Sequence, residues 1–525
     1  MKKHWLFLIS IILIAMIPSI CTGNLQSSSQ SKSSGAVSQA ATKPPGGSQE
    51  SKVPKQSTVQ IPTTAGIIRP LPGTAPKDTG KSVIQQVGLI VNSEQAYEGY
   101  TLLAPKHFTD TYLLDNKGNI VNSWKSDYLP GQSVYLLDNG NLLRSCFTKN
   151  QAFIGGGEGG GLQEFDWEGN LVWEFWYSND KYLMHHDIKP LPNGNVLALA
   201  VEKKTLEECI AAGFQSSALK EKMLYPDTVI EIRPTGPQNG EIVWEWHVWD
   251  HLIQDESPMM ANYGNTKEHS ELIDVQCNGG RETVAFWNHM NSIDYNPELD
   301  QILLSVRGSS EIWIIDHSTT KTEAAAHSGG KSGKGGDLIY RWGNPQAYGA
   351  GSTISQKLFQ QHDAQWIKPG SPGAGNILIY NNGLNRPSGR YSTVDEIVPP
   401  LNGDGAYFRK SGYEYGPTGI LWTYVASPPT SLYSEAISGC QRLPNGNTLI
   451  CDGVHGVLIE VDPKGQVVWK FINPVTSSGP VKQGTPIPLD DRGHQMNAVF
   501  KVQRYSPDFK GFLNRDMTSG NLLVK

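Results

Sequence analysis

Two observations predict the fold class of this 525-residue chain. A strand-and-turn signature recurs along most of its length, and amphipathic segments with a 3.6-residue period are nearly missing. Together they predict an all-β protein, a six-bladed β-propeller preceded by a signal sequence and a disordered, low-complexity stalk.

The stalk comes first in the chain. Residues 1–23 read as a signal sequence or membrane anchor, with Lys2 and Lys3 ahead of an apolar run from Trp5 to Ile17 that is short for a membrane span. Cleavage, lipidation at Cys21 and retention as a membrane tether all stay open. Residues 24–81 are rich in Ser, Gln and Pro and almost free of aromatic side chains. Such a segment cannot bury enough apolar surface to offset its ordering entropy, so it reads as a disordered linker. The protein is expected to be exported, either extracellular or in the cell envelope. Residues 82–525 have the composition of a globular domain. The formal charge of −6 is mild and no basic stripe appears, which excludes a nucleic-acid partner.

Within 82–525 each repeat pairs a strand closing on D-x-x-G-x-hydrophobic-V-W with an L-P-N-G-N-type hairpin. The runs are YLLDNKGNIVNSW (112–124) with LDNGNLL (137–143), EFDWEGNLVWEF (164–175) with LPNGNVL (191–197), and TVIEIRPTGPQNGEIVWEW (228–246) with the stretch after His289. Next come IWIIDHSTT (312–320) with LIYRWG (338–343) and GNILIYNNG (375–383), then VDEIV (394–398) with GILWTY (419–424) and LPNGNTLI (443–450). The last is VLIEVDPKGQVVWKF (457–471) with NAVFKV (497–502). Asn-Gly and Asp-x-x-Gly turns between short apolar strands are hairpin chemistry. The units are longer than lean blades, leaving insertions at about 202–227, 247–285, 318–336 and 384–418, and only 205–215 looks helical. EGYTLLA (98–104) is expected to add a strand to the last unit and close the ring. A hairpin turning at Asn445-Gly446 sets Cys440 opposite Cys451, and whether they form a disulfide is left open.

Aligned on the hairpins, one residue per blade falls six positions before the proline or its equivalent: Gln132, His186, His289, His362, Ser438 and His494. In a propeller such positions face one end of the central channel. Four histidines among them, from a chain with 13, are not explained as ladder residues, because buried polar groups need partners. Strand alternation puts His289 and Asn291 on one face, and Arg307 ends the returning strand. Imidazoles that move protons or attack, beside a guanidinium fork suited to a tetrahedral oxyanion, fit sulfuryl or phosphoryl transfer. A three-histidine metal site is the rival, and Arg307 argues against it by repelling a divalent cation. No nucleotide-phosphate signature appears.

These residues resemble the arylsulfotransferase (aryl-sulfate sulfotransferase) family. The likeness rests on H-x-N-S-I with the later arginine, Q-H-D-A-Q-W, H-H-D-I-K-P-L-P-N-G-N, R-W-G-N-P and the closing R-Y-S-P-D. It implies a six-bladed propeller and nucleotide-independent, ping-pong transfer from an aryl sulfate to a phenol. By the same resemblance His362 is the transiently sulfurylated nucleophile, His289, Asn291 and Arg307 bind the sulfuryl group, and His186 is the remaining active-site histidine. No cofactor and no metal ligand are expected, and the oligomeric state is left open. Two other readings compete: a non-catalytic envelope propeller binding polysaccharide or a surface protein, and a metal- or quinone-dependent oxidoreductase.

Overall fold

The computed structural model describes residues 69–525 apart from 154, 158, 278–283, 404 and 411. The signal sequence and the linker as far as 68 lie outside the described residues. Among those described, no helix is long and apolar enough to cross a membrane.

Six antiparallel sheets make a six-bladed β-propeller. Blade 2 runs from Pro130–Leu136 to Leu171–Trp176, blade 3 from Tyr182–Pro190 to Asn239–His247, and blade 4 from Met290–Asn296 to Tyr340–Trp342. Blade 5 runs from His362–Trp366 to Trp422–Val425, and blade 6 starts at Gly439–Arg442. The expected segment closes the ring: Tyr100–Leu103 pairs with Gln503–Tyr505, which directly follows 497–502 of the last sequence unit and is the innermost strand of blade 1. The sequence did not announce that blade 6 gains Gly88–Asn92 as a fifth, outermost strand. Strands from the two ends of the described chain are thereby woven into neighbouring blades.

The strands read as continuous apolar runs because each blade is covered on both faces. Along Gln301–Val306, Ile302 and Leu304 join the core shared with blade 3, whereas Leu303 joins the core shared with blade 5. The same alternation corrects the expected pairing of Cys440 with Cys451. The hairpin register sets Cys440 opposite Ile450 and Gly439 opposite Cys451. One residue of offset sends the two thiols to opposite faces, Cys440 into the core against blade 5 and Cys451 into the core against blade 1. Both are free.

The tryptophan that recurs on the outer strands of the repeats has a tertiary purpose. In several blades the outer-strand indole N–H donates across to the next blade: Trp124 to the Asp166 carbonyl, Trp173 to Asn239, Trp342 to Pro417 and Trp469 to Asn116, at 2.8–3.0 Å. The helical stretch read from sequence contains helix Leu206–Ala211, started by a Thr205–Glu208 capping box.

Near the ring centre Lys501 is buried between two blades. Its Nζ lies 2.7 Å from Asp187 Oδ2 and 3.0 Å from Asp363 Oδ1. Asp187 Oδ2 also accepts the Ile293 N–H of blade 4, and Asp363 Oδ2 the Cys440 N–H of blade 6. The two His-Asp dipeptides thus turn their aspartates to a common cation. Burial opposes the Lys501 charge, but the two carboxylates outweigh it and hold the pKa well above the usual lysine value. Replacing Lys501 by Met should cost about 3–5 kcal/mol, because it strands buried carboxylates without a counter-charge. A urea midpoint within experimental error of the wild type would refute this role.

Candidate active site

The innermost strand of several blades breaks register beside the channel. The breaks fall between Pro130 and Val134, Met184 and Ile188, Met290 and Ser292, and His362 and Gln365. At or beside them Gln132, His186, His289 and Asp363 take positive φ values of 100°, 47°, 51° and 49°, and Ser438 takes 86° in blade 6. A bulge of this kind bends the strand and re-aims side chains, at a cost in backbone strain. In blades 2, 3 and 6 the positive-φ residue stands at one distance from the turn glycine, Gln132 from Gly140, His186 from Gly194 and Ser438 from Gly446, which is why hairpin alignment finds it. His289 lies farther from its turn, and in blade 5 it is Asp363, next to His362, that takes the positive φ.

The bulge also overturns the simple alternation expected around His289. Met290 pairs with Val306 but Ser292 pairs with Ser305, so Asn291 is the extra residue and does not share a ladder face with His289. Its Nδ2 donates to the Gln361 carbonyl at 2.8 Å, in the strand that carries His362. His494, aligned with the channel set, pairs instead with Glu435 at 3.1 Å. In blade 1 the residue beside His186 is Phe500, with ring centroids 6.1 Å apart.

His186 and His289 come together, their ring centroids 4.9 Å apart. Arg307 donates its backbone N–H to the His289 carbonyl at 3.2 Å, which anchors it beside that histidine. Its guanidinium makes no hydrogen bond or ion pair among the described residues, and burial lowers its pKa. Burial, then the Arg307 charge, pushes His362 down to about 3 and His289 well below the usual histidine value. Burial and then His289, His185, His362 and Lys106 lower His186 in the same way. The ring contact of His186 with His289, the Arg307 N–H on the His289 carbonyl and the Asn291 bond to Gln361, next to His362, bring these residues together, in keeping with their mutual electrostatic influence. The three imidazoles are neutral near pH 7.

The hydrogen bonds decide which nitrogen of His362 is available. Asn382 Nδ2 donates to the carbonyls of Ser434 and Ile437, at 2.8 and 3.0 Å. Its Oδ1 therefore faces His362 Nδ1 at 2.8 Å, and an acceptor there requires the proton on Nδ1. On the neutral ring Nε2 then keeps the lone pair, and none of the described side chains is hydrogen-bonded to it. Behind His186 a second chain forms. Its Nδ1 lies 2.8 Å from His185 Nδ1, and His185 Nε2 lies 3.0 Å from Asp227 Oδ1. With the His185 proton toward the carboxylate, His186 holds its own on Nδ1.

The glycine-rich loop before Gly160 lies directly on this cluster. A Cβ at Gly157 would fall 2.1 Å from His186 Cε1, and one at Gly155 would fall 2.2 Å from the Phe286 ring. Phe286 itself stands 6.1 Å from His289. Sequence reading missed this loop, Asn382, Asp227 and Lys501. Repeated glycines at 155–157 were a visible signal for the loop; Asn382, inside a common N-N-G turn, offered none.

The depressed histidines have a thermodynamic signature. Between about 3 and 6.5 the unfolded chain binds a proton at His362 that the folded protein refuses. The unfolded state then holds more protons, so stability rises with pH through that window and is lost as pH falls. His186 and His289 act in the same direction. Urea midpoints of His362→Asn should show a shallower slope over this window than wild type; an unchanged slope would contradict a buried neutral imidazole.

Neutral imidazoles beside a guanidinium that has no ion pair among the described residues make this a β-propeller with an anion-handling channel. The chain belongs to the arylsulfotransferase (ASST) family, which it matches over residues 89–478. Membership implies a sulfotransferase that moves sulfuryl groups from aryl sulfates, with phenols as acceptors. No curated protein matches the chain. Among solved structures it is similar to a protein of unknown function from Bacteroides caccae, with 12% identity over 78% of this chain and 98% of that one and a TM-score of 0.40. A functionally unknown protein from Desulfotomaculum acetoxidans DSM 771 has 9% identity over 78% and 100%, with a TM-score of 0.37. A streptogramin B lyase has 9% identity over 82% and 97%, with a TM-score of 0.36.

Proposed function

We propose that this protein transfers sulfuryl groups in two half-reactions through a sulfohistidine at His362. The observation that carries the reading is the His362 Nε2 lone pair set in one cluster with the Arg307 guanidinium, which has no ion pair among the described residues. Nε2 attacks the sulfur of an aryl sulfate, an N–S bond forms and the S–O bond to the aryl group breaks. The bound sulfate charge offsets Arg307 and lets His186 carry a second proton, on Nε2, which passes to the departing phenolate oxygen. An acceptor phenol then returns a proton to His186 as its oxygen takes the sulfuryl group, and His362 is restored. Arg307 and His289 hold the sulfonate oxygens where charge builds up. Asn291 is a positioning residue here, holding the Gln361 carbonyl next to the nucleophile. Asp227 and His185 steady the His186 imidazolium. Phe286 and Phe500 offer aromatic faces to the aryl groups.

The signal-like or anchor-like run in residues 1–23, two lysines ahead of an apolar stretch, supports placing this chemistry outside the cytoplasm, with aryl sulfates and phenols as small-molecule partners. Acid-sparing quenching after exposure to a chromogenic aryl sulfate should leave one sulfuryl group on the peptide containing His362. Absence of an adduct with several donors, at concentrations that support turnover, would favour direct transfer between two bound substrates and would sink the two-step reading.

A further inference from the structure

Two of the insertions meet outside the channel, and three side chains converge there. His251 closes the short helix Val248–His251 that follows the outermost strand of blade 3. His327 and Asp337 flank a glycine-rich loop after helix Lys321–Ala324. His251 Nδ1 and His327 Nδ1 each lie 2.8 Å from the same oxygen, Asp337 Oδ1, and one donor atom from each side chain falls within 4.8 Å of the others.

The second His251 nitrogen, Nε2, sits 2.9 Å from the Ala324 carbonyl oxygen. A carbonyl only accepts, so Nε2 carries a proton and the Nδ1 of a neutral ring is a bare lone pair. That lone pair then faces a carboxylate oxygen, acceptor against acceptor. A cation between them resolves the contact, either a metal ion or a second proton. The setting is that of a ligand histidine, whose other ring nitrogen is characteristically held by a carbonyl or carboxylate. Trp246 stacks on the His251 ring at 5.5 Å and 9°. Gly336 passes so close that a Cβ would fall 1.9 Å from the Ala324 oxygen and 2.7 Å from His251 Nε2. His251 and Asp337 are buried, while His327 is exposed at a cleft of about 570 Å³ that also takes in Trp249, Tyr263 and His269.

We infer that His251, His327 and Asp337 hold a transition-metal ion of the zinc type, with a coordination position open to this cleft. Two imidazoles and one carboxylate form a borderline donor set that suits zinc and disfavours calcium or magnesium, which take oxygen ligands. His251 and Asp337 stand 86 residues apart, so no motif spacing announces the site, and the sequence reading assigned no metal ligand. The site shares no residue with the channel cluster and stands apart from the sulfuryl-transfer reading.

The test uses the full chain, stripped with a chelator and titrated first with Co²⁺ and then with Zn²⁺. One equivalent of Co²⁺ should bind with the visible bands of a four- or five-coordinate ion, and Zn²⁺ should displace it. His327→Ala and Asp337→Asn should each weaken binding by at least roughly a hundredfold, as loss of a ligand exceeds the effect of losing an outer-shell partner. His269→Ala, at the cleft wall, and His362→Ala, in the channel, should bind as wild type. Equal uptake by wild type and His327→Ala, or loss of uptake in His362→Ala, would overturn the assignment. So would nitrogen NMR showing both His251 nitrogens protonated near neutral pH and unmoved by added Zn²⁺, the result expected of a simple imidazolium–carboxylate pair.

Discussion

The His362→Ala enzyme is expected to lose aryl-sulfate turnover by about four to six orders of magnitude, the range seen when a covalent nucleophile is removed. The size of the effect follows from geometry. His362 and His186 both hold their proton on Nδ1, but His362 is fixed by the neutral Asn382 amide, whereas His186 is backed by the His185–Asp227 chain that suits a proton carrier. Truncation also deletes the site of covalent labelling, so adduct and turnover should vanish together. Because the ring is buried and neutral, its loss opens a small cavity without stranding a charge, and the fold should survive. Added imidazole should enter that cavity and restore part of the rate. A variant that keeps turnover within tenfold of wild type, or that is labelled on another residue, would remove His362 from its proposed role.

Arg307→Ala should produce the second-largest effect, with a signature unlike that of a structural residue. Removing a donor aimed at developing charge costs roughly 10²–10³ in kcat. Stability should move the other way or not at all. The wild-type guanidinium is largely desolvated without a carboxylate partner among the described residues, and deleting an uncompensated charge relieves that penalty. Without its charge His289 and His362 should also titrate higher, since Arg307 is the second cause of their depression after burial. Arg307→Lys should recover only part of the rate, since a point charge lacks the planar fork. A drop in kcat matched by an equal loss of stability would mark Arg307 as structural, and an unchanged kcat would separate it from the chemistry.

The site was legible to an unequal degree. His186, His289 and His362 emerge from the sequence because each of their blades begins its innermost strand with a register break beside the channel, and Arg307 because it ends the strand that returns toward His289. Asn291 was legible as a residue but not in its contact, because period-two alternation fails at the bulge it occupies. The disulfide question turned on a single residue of register at the Asn445-Gly446 hairpin, which spacing alone does not resolve. Asn382, Asp227 and Lys501 were not legible. Each is an ordinary residue type in an ordinary local context, and each acquires meaning only from a partner in another strand.

By itself the sequence determined the all-β class, the blade count and the family, because these rest on turn chemistry and apolar patterning that act over a few residues and repeat. Tertiary structure alone decided that Gly88–Asn92 joins blade 6, which nitrogen of His362 keeps the lone pair, and that the aspartates of both His-Asp dipeptides share Lys501. The physical reason is one of range. Hydrogen bonds and ion pairs in a closed ring join groups such as Lys501 and Asp187, 314 positions apart, and local propensity carries no record of such a partner.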